Sequence, residues 1–373
     1  MKTHHQDSIK IINIVGARPN FVKMASLYRA YARYKDIDTI LVHTGQHYSE
    51  EMSSDFVRYL KLPRPKYNLG VGSASHTVQV AQIMMKLEKI FLKEKPDLVL
   101  VVGDVNSTLA AALAAKKIGI SVAHVEAGLR SFDMSMPEEV NRILVDHVSK
   151  FLFVTEKSGL DNLKKEEISA NKIFFVGNTI IDNLMYFLPK INKSPILKRL
   201  VIQPQKFITA TLHRPSNVDS KEKIIKILTI LKLIDRNLSI VFSIHPRTQK
   251  NIYRFGLSNK MKEIKNLRIT PPLGYFDFIK LVKESRFILT DSGGIQTEAA
   301  YLKVPVLTLR DTTESLSTIK CGANKLVKLN KKDIAIGIKW ALSLNRRKIK
   351  KIPRNDGKAA NRIIKILNQK IKN

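Results

Sequence analysis

The feature that most constrains this chain is a rhythm that occurs twice. Short, continuous apolar runs alternate with stretches of good helix formers. KIINIVG (Lys10–Gly16), TILVHTG (Thr39–Gly45), DLVLVVGD (Asp97–Asp104), SVAHVEAG (Ser121–Gly128), FLFVTE (Phe151–Glu156) and KIFFVGN (Lys172–Asn178) read as strands. Unbroken hydrophobic runs of this kind belong to strands covered by helices on both faces. The pattern pauses at FLPKINKSPILKRLVIQP (Phe187–Pro204), whose three prolines and several lysines mark a candidate linker. It restarts with KFITATLH, LSIVFSIHP, LRITPP, RFILTDSGG and VPVLTLR, and KLVKL (Lys325–Leu329) reads as an edge strand. Repeated βα units predict a doubly wound parallel sheet, here in two Rossmann-like α/β domains. At 373 residues the length also suits about two domains. The boundaries expected are 1–185 for the first domain and 200–354 for the second. A last amphipathic helix falls within 355–373.

Ligands of such sheets bind outside the C-terminal ends of the strands. Polar clusters recur there in both halves: GARPNFVK, TGQHYSEEM, GDVNST, HVEAGLR, TLHRPSN, SIHPRTQ and TDSGGIQTE. Their distribution predicts a site in a cleft that the two domains face.

Several of these residues suit chemistry, and each has a plainer reading beside it. TDSGGIQTEAA follows a strand and opens a helix. Gly293 and Gly294 let backbone N–H groups approach an anion, and Ser292 adds a hydroxyl; a helix cap at Ser292 explains the same residues. Glu298, one turn on, suits a sugar diol or a solvated helix position. Arg18 and Lys23 fit a diphosphate, or are two more cations in a chain full of them. Pro19 suits the first helical position. Asp104 suits acid–base work or a helix cap. Glu126 ends an apolar strand, where an acid needs a partner, and Arg130 is the expected one. Glu138 follows Pro137, a normal place for an acid in a first helical turn. The joint placement of three acids at neighbouring strand ends favours proton transfer. His213 and Arg214, with His245 and Arg247, come from the second half; a histidine facing a phosphate binds it or donates a proton.

Other classes are disfavoured. The single cysteine, Cys321, rules out an internal disulfide and a multi-cysteine zinc site. No metal-binding histidine motif, serine-hydrolase elbow, dinucleotide fingerprint or P-loop is present. No apolar run approaches the ~20 residues of a membrane span, and the N-terminus has no signal-like core. The expectation is a cytoplasmic protein. Charge is the unusual quantity, with 64 Lys+Arg against 32 Asp+Glu, net +32. Such an excess raises nucleic acid as a partner. The basic residues are spread along the chain, however, without interleaved aromatics, so a nucleic-acid-binding role is the remote alternative. The densest run, NRRKIKKIPR (Asn345–Arg354), reads as a solvated surface segment.

Taken together, these motifs resemble the non-hydrolysing UDP-N-acetylglucosamine 2-epimerase family over nearly the whole chain. The resemblance is carried by GARPNFVKMASL, TGQH at Thr44, GDVNSTLAAALAA at Gly103, HVEAGLRSF at His124, MPEEVNRILVDH at Met136, VGNTIID at Val176, LHRPSNVD at Leu212, LTDSGGIQTEA at Leu289 and PVLTLRDTTE at Pro305. It implies a GT-B arrangement, with the C-terminal helix packed back on the first domain, and a homodimer. The implied reaction interconverts UDP-GlcNAc and UDP-ManNAc by eliminating UDP to a 2-acetamidoglucal and adding it back. It needs no cofactor or metal, and closure of the domains excludes water. It serves cell-surface polysaccharide precursors. The implied catalytic residues are Asp104, Glu126 and Glu138, with His213 assisting. The implied UDP contacts are Arg18, His213, Ser292, Gly293, Gly294 and Glu298, with Lys23 in the same motif. Gln46, Arg214 and His245 match motifs of a second, activating substrate position. Two related outcomes accompany this one: a hydrolysing epimerase giving ManNAc and UDP, and a 2-epimerase of a UDP-diacetamido uronic acid. The chain departs from the family pattern at Thr313-Glu314-Ser315-Leu316, where T-E-R-P is common, and at Thr297, Ala323 and Lys328.

Overall fold

The computed structural model of the chain describes residues 8–45, 59–234 and 238–372. They form two compact units: residues 1–183 with 353–373, and residues 184–352.

The sheet of the first unit has seven strands: β1 (Ile9–Val15), β2 (Ile37–His43), β3 (Tyr67–Asn68), β4 (Leu98–Val102), β5 (Ser121–Ala127), β6 (Phe151–Val154) and β7 (Ile173–Phe175). Their order is β3-β2-β1-β4-β5-β6-β7, with every pair parallel. The second unit has six: β8 (Phe207–Thr211), β9 (Ser239–Ser243), β10 (Leu267–Thr270), β11 (Ile288–Thr290), β12 (Val306–Thr308) and β13 (Asn324–Leu326). Their order, β10-β9-β8-β11-β12-β13, is again parallel throughout. Both are doubly wound Rossmann-like sheets. In each, the order reverses next to the first strand, between β1 and β4 and between β8 and β11. Those reversals are where such sheets hold ligands.

The central strands are buried on both faces, as their composition requires. All five residues of β4 are buried, and Val99 and Val101 pack with Ile12, Ile14 and the alanines of helix Asn106–Lys117. In the second unit Ile208, Phe242 and Leu289 pack beneath the apolar face of helix Lys221–Ile234.

Three expectations need correcting. The proline-bearing segment expected as a linker is largely helical. Helix Thr179–Asn192 runs through Pro189, and helix Ile196–Arg199 follows. A proline inside a helix costs about 3 kcal/mol, but Ile181, Leu184, Phe187 and Ile191 are fully buried. Their burial is worth ~1.5–3 kcal/mol each, enough to hold the helix. Pro19 is the second helical residue, since the first helix is Arg18–Tyr31. The basic run near the C-terminus is partly structural: Arg346 donates to the carbonyls of Ser285 and Arg286.

The C-terminal helix Ala359–Lys372 belongs to the first unit. Its start is fixed by Asp182, whose carboxylate accepts from the amides of Ala359 (3.1 Å) and Ala360 (2.7 Å). No helix among the described residues is long and apolar enough to cross a membrane.

Candidate active site

In the first unit, Asn20 spans the sheet reversal. Its Oδ1 accepts from the amides of Gly16 (3.2 Å) and Ala17 (2.9 Å), and its Nδ2 donates to the carbonyl of Val102 at 2.9 Å. The turn after β1, which bears Arg18, is thereby held to the end of β4. Arg18 is exposed on the first helical turn.

Beside this turn the chain gathers its acids. Gly103 follows β4 with φ of 71°. A Cβ there would lie 3.0 Å from Lys23 Nζ and 3.3 Å from Glu126 Oε2. Lys23 and Glu126 form an ion pair, and both side chains are largely buried. The expected partner of Glu126, Arg130, is occupied elsewhere. Its guanidinium pairs with Asp146 (2.8 Å) and Glu166 (2.7 Å). A strand end points its side chains away from its near sequence neighbours, so the partner came from a residue 103 positions away. Lys23, expected at the diphosphate, is engaged by this carboxylate. Glu126 also occupies a left-handed conformation (φ 82°) where the β5–β6 register shifts.

Asp104 does not cap the following helix. The N-cap position is Val105, without a side-chain bond. The Asp104 carboxylate instead pairs with Arg142. Arg142 also donates to Glu139 Oε2 from Nε (2.9 Å) and Nη2 (2.7 Å). Asn141 donates to the carbonyl of Asp104 at 2.8 Å. Residues 141 and 142 lie one turn beyond Glu138 in helix Pro137–Val148, so that helix is locked to the Asp104 loop. Glu138 is half-buried, and its side chain makes no hydrogen bond or ion pair among the described residues. Its neighbour Glu139 holds the structure together. Burial raises the Glu139 pKa, but the amides of Ser131 and Phe132 together with Arg142 bring it below the usual range. His124, fully buried, bonds Asp146 (2.7 Å) and the carbonyl of Gly103 (2.9 Å), bracing the same loop from below.

In the second unit the reversal is spanned by Asp291, buried at the end of β11. Its carboxylate accepts from the amides of His213 (3.1 Å) and Arg214 (2.9 Å) and from Asn217 Nδ2 (3.1 Å). It also faces His213 Nδ1 at 3.2 Å. Burial alone would raise its pKa, but the His213 hydrogen bond and charge, with Asn217 and Arg214, pull it below the carboxylate norm. Asp291 lies within a motif singled out from the sequence but was not itself recognised there. Its signal, an acid between the strand RFILT and a glycine pair, could have found it.

Ser292 occupies the N-cap position of helix Gly293–Tyr301, but its side chain makes no capping bond. Gln296 donates to the Ser292 carbonyl at 3.1 Å and accepts from Thr313 Oγ1 (2.8 Å) and Asn324 Nδ2 (2.9 Å). A Cβ on Gly294 would meet nothing within 4 Å, leaving that side of the helix start open to a ligand. Glu298 is buried rather than solvated, with Tyr275 Oη donating to its Oε1 at 2.8 Å. Burial pushes its pKa up to about 7, against the lowering by Tyr275. The rings of His213 and His245 lie 5.4 Å apart, and His245 caps helix Pro246–Arg254 by accepting from the Arg247 amide. Arg214 Nε donates to the Asp291 carbonyl at 3.0 Å. Gln46 lies outside the described residues. No group of three or more metal-ligating side chains occurs among the described residues.

A sequence profile of the family described as UDP-N-acetylglucosamine 2-epimerase matches residues 29–368. The UDP-N-acetylglucosamine 2-epimerase of Methanocaldococcus jannaschii is 44% identical over 366 residues, covering 96% of this chain and 99% of the relative. A UDP-2,3-diacetamido-2,3-dideoxy-D-glucuronate 2-epimerase of Pseudomonas aeruginosa is 42% identical over 322 residues, 86% of this chain and 88% of that protein. Among solved structures, the Methanocaldococcus jannaschii UDP-GlcNAc 2-epimerase in complex with UDP-GlcNAc and UDP superposes with a TM-score of 0.90, at 44% identity over 97% of this chain and all of that one. With a family profile across most of its length and relatives of this similarity, the chain belongs to the UDP-N-acetylglucosamine 2-epimerase family.

Proposed function

We propose that the protein is a non-hydrolysing epimerase that inverts C2 of UDP-GlcNAc, reversibly giving UDP-ManNAc. The observation that carries this reading is the arrangement around Gly103: the Glu126–Lys23 pair lies against it, Asp104 is the next residue, and the helix bearing Glu138 is tied to Asp104 by Asn141 and Arg142.

The chemistry asks for this. The C2 proton is not next to a carbonyl, so a base alone cannot remove it at a useful rate. As the C1–O bond to UDP loosens, positive charge grows on the sugar ring and acidifies C2–H. Nearby carboxylates stabilise that charge and take the proton. UDP departs as an anion, which the helix start at Ser292–Gly294, open on its Gly294 side, suits, as do His213 and Arg18. The 2-acetamidoglucal is then protonated on its other face at C2 as UDP re-adds at C1. Inversion requires proton exchange on two faces, hence more than one acid among Asp104, Glu126 and Glu138. The Lys23 ammonium holds the Glu126 carboxylate in place beside Gly103. Asp291 holds one ring nitrogen of His213 and leaves the other to face the phosphate. Arg214 and His245 remain candidates for a second substrate position.

Inside the cell the product would feed cell-surface polysaccharide synthesis. The enzyme would act as a homodimer. On helix His76–Glu94 the apolar residues Val78 (45% exposed), Met85 (67%) and Leu92 (59%) recur every seven positions, a stripe suited to a second copy of the chain.

Proton NMR of the purified protein with UDP-GlcNAc in D₂O tests the reading. UDP-ManNAc carrying deuterium at C2 is the expected product; free ManNAc with UDP would overturn the non-hydrolysing outcome. Asp104→Asn should lower kcat by ~10²–10⁴-fold while UDP still binds. The Pseudomonas relative favours a second reading, a UDP-diacetamido uronic acid as substrate. Turnover of that sugar in preference to UDP-GlcNAc would establish it.

A further inference from the structure

We propose that Arg310 is an additional phosphate-binding residue and that Glu314 is its built-in competitor, holding the place at the start of helix Gly293–Tyr301 that a diphosphate takes over. This rests on the reading of Ser292–Gly294 as a diphosphate cradle and says what occupies it without ligand.

Three observations meet here. A Cβ on Gly293 would lie 2.3 Å from Glu314 Oε1 and 3.4 Å from its Cδ. The carboxylate therefore fills the space against the first helical residue, while the space beside Gly294 is open. Glu314 in turn faces Arg310, with Nη2 2.7 Å from Oε2, and the two side chains are only 6% and 12% exposed. Arg310 Nη1 is buried and has no hydrogen-bond partner among the described residues. A buried guanidinium with unspent donors beside a helix start is an anion site incompletely filled by a single carboxylate.

The physics sets an order of events. A carboxylate at a helix N-terminus is favourable, since the backbone amides there carry partial positive charge. A diphosphate brings more charge and more acceptor oxygens to the same place. Two anions in contact repel, so Glu314 must withdraw when the diphosphate enters. Arg310 then exchanges its carboxylate for phosphate oxygens, which its planar fork fits in bidentate fashion. The base of the loop need not move. Thr313 Oγ1 donates to Gln296 at 2.8 Å and accepts from the Ser315 amide at 3.2 Å, fixing the residues on either side of Glu314.

Calorimetric titration of the full chain with UDP and with uridine, which lacks phosphate, tests this. Glu314→Gln removes the competing charge and should tighten UDP about tenfold, with uridine unchanged. Arg310→Gln should weaken UDP by at least about tenfold and again spare uridine. If Glu314→Gln does not fold, Glu314→Asp carries the test, because a side chain one methylene shorter draws the carboxylate away from Gly293. Unchanged or weaker UDP binding by a folded Glu314 variant overturns the proposal, as does an equal gain for uridine. Failure of the unaltered protein to bind UDP would instead remove the diphosphate reading on which the proposal rests.

Discussion

Asp291→Asn is the substitution from which the second unit's site has most to lose, and its effects follow from the contacts. One carboxylate oxygen serves the Arg214 amide (2.9 Å), the His213 amide (3.1 Å) and Asn217 Nδ2 (3.1 Å). The other faces the ring nitrogen of His213 at 3.2 Å. An asparagine has one acceptor oxygen. Placed on the side of three donors, it keeps them satisfied and turns its NH₂ towards His213. The opposite placement sets an NH₂ against three donors and is worse. The favoured arrangement loses the charge, and hydrogen bonds to a charged group are worth ~1.5–3 kcal/mol against about 1 for neutral ones. A net loss of roughly 2–3 kcal/mol is expected, seen as a lower urea midpoint at constant m-value. The functional loss should be larger. The NH₂ can only donate, so the facing His213 nitrogen must accept and the proton moves to the other one. The tautomer facing the substrate is then reversed, and a fall in kcat of ~10²–10³ is expected, within the range for a misplaced general acid–base group. Turnover is read by NMR on Asp291→Asn, His213→Asn and the double variant. If Asp291 acts through His213, the double variant is no slower than His213→Asn. Multiplicative losses, or near-normal turnover by Asp291→Asn, would refute the reasoning.

Glu298 should make ligand affinity depend on pH. Its pKa stands at about 7 through burial, and a sugar diol donates best to the ionised form. UDP affinity should rise about tenfold per pH unit below 7 and level off above it, and Glu298→Gln should flatten the profile in calorimetric titration. Asp182 sets a stability slope of the opposite sense. Burial raises its pKa to about 6, against the lowering by the Ala360 and Ala359 amides. The folded state holds this proton between the unfolded pKa and about 6, so its contribution is full below that window and lost as pH rises through it. Roughly 3 kcal/mol is at stake. Urea unfolding from pH 4 to 7 should show that component in the native chain and lack it in Asp182→Asn. Met85→Glu places a charge in the middle of the exposed apolar stripe; sedimentation velocity should show a dimer become a monomer, and an unchanged dimer would place the interface elsewhere.

Much of the architecture was legible because it is written in continuous apolar runs. Both sheets, and every strand but β3, follow from runs such as KIINIV, LVLVV and FLFV, and Asn324–Leu326 does form an edge of its sheet. The two-residue β3 was not legible, since so short an edge strand has no pattern of its own. Helix Thr179–Asn192 was hidden by Pro189, although buried Ile180, Leu184, Phe187 and Ile191 keep helical spacing across it. The site was half legible. Residue types at strand ends pointed to the acids, but partners are set by which strands lie side by side. Glu126 therefore meets Lys23 rather than Arg130, and Asp104 meets Arg142. The polar cluster of Gln296, Thr313 and Asn324 was invisible for the same reason: its members come from three separate segments.

Glu126 shows how strongly that tertiary setting is imposed. A non-glycine residue in the left-handed region costs of order 1–3 kcal/mol and persists only where its surroundings over-determine it. Here they do. The register slips between Val125 and Ala127, so the strand resumes its pairing one residue late and Glu126 falls outside the ladder. The amide of Gly103 still reaches the Val125 carbonyl at 3.0 Å, and the Gly128 amide donates to the buried Asp146 carboxylate at 2.9 Å, clamping both flanks. Released from the pleat, the Glu126 side chain reaches Lys23 and the space beside Gly103, and Asp104 follows directly. A regular strand would have sent residue 126 to one helix-covered face of the sheet, where an acid has no water and no work. The bulge is thus the device that takes residue 126 out of the ladder and sets its carboxylate beside Gly103, and the ion pair with Lys23 offsets part of its strain.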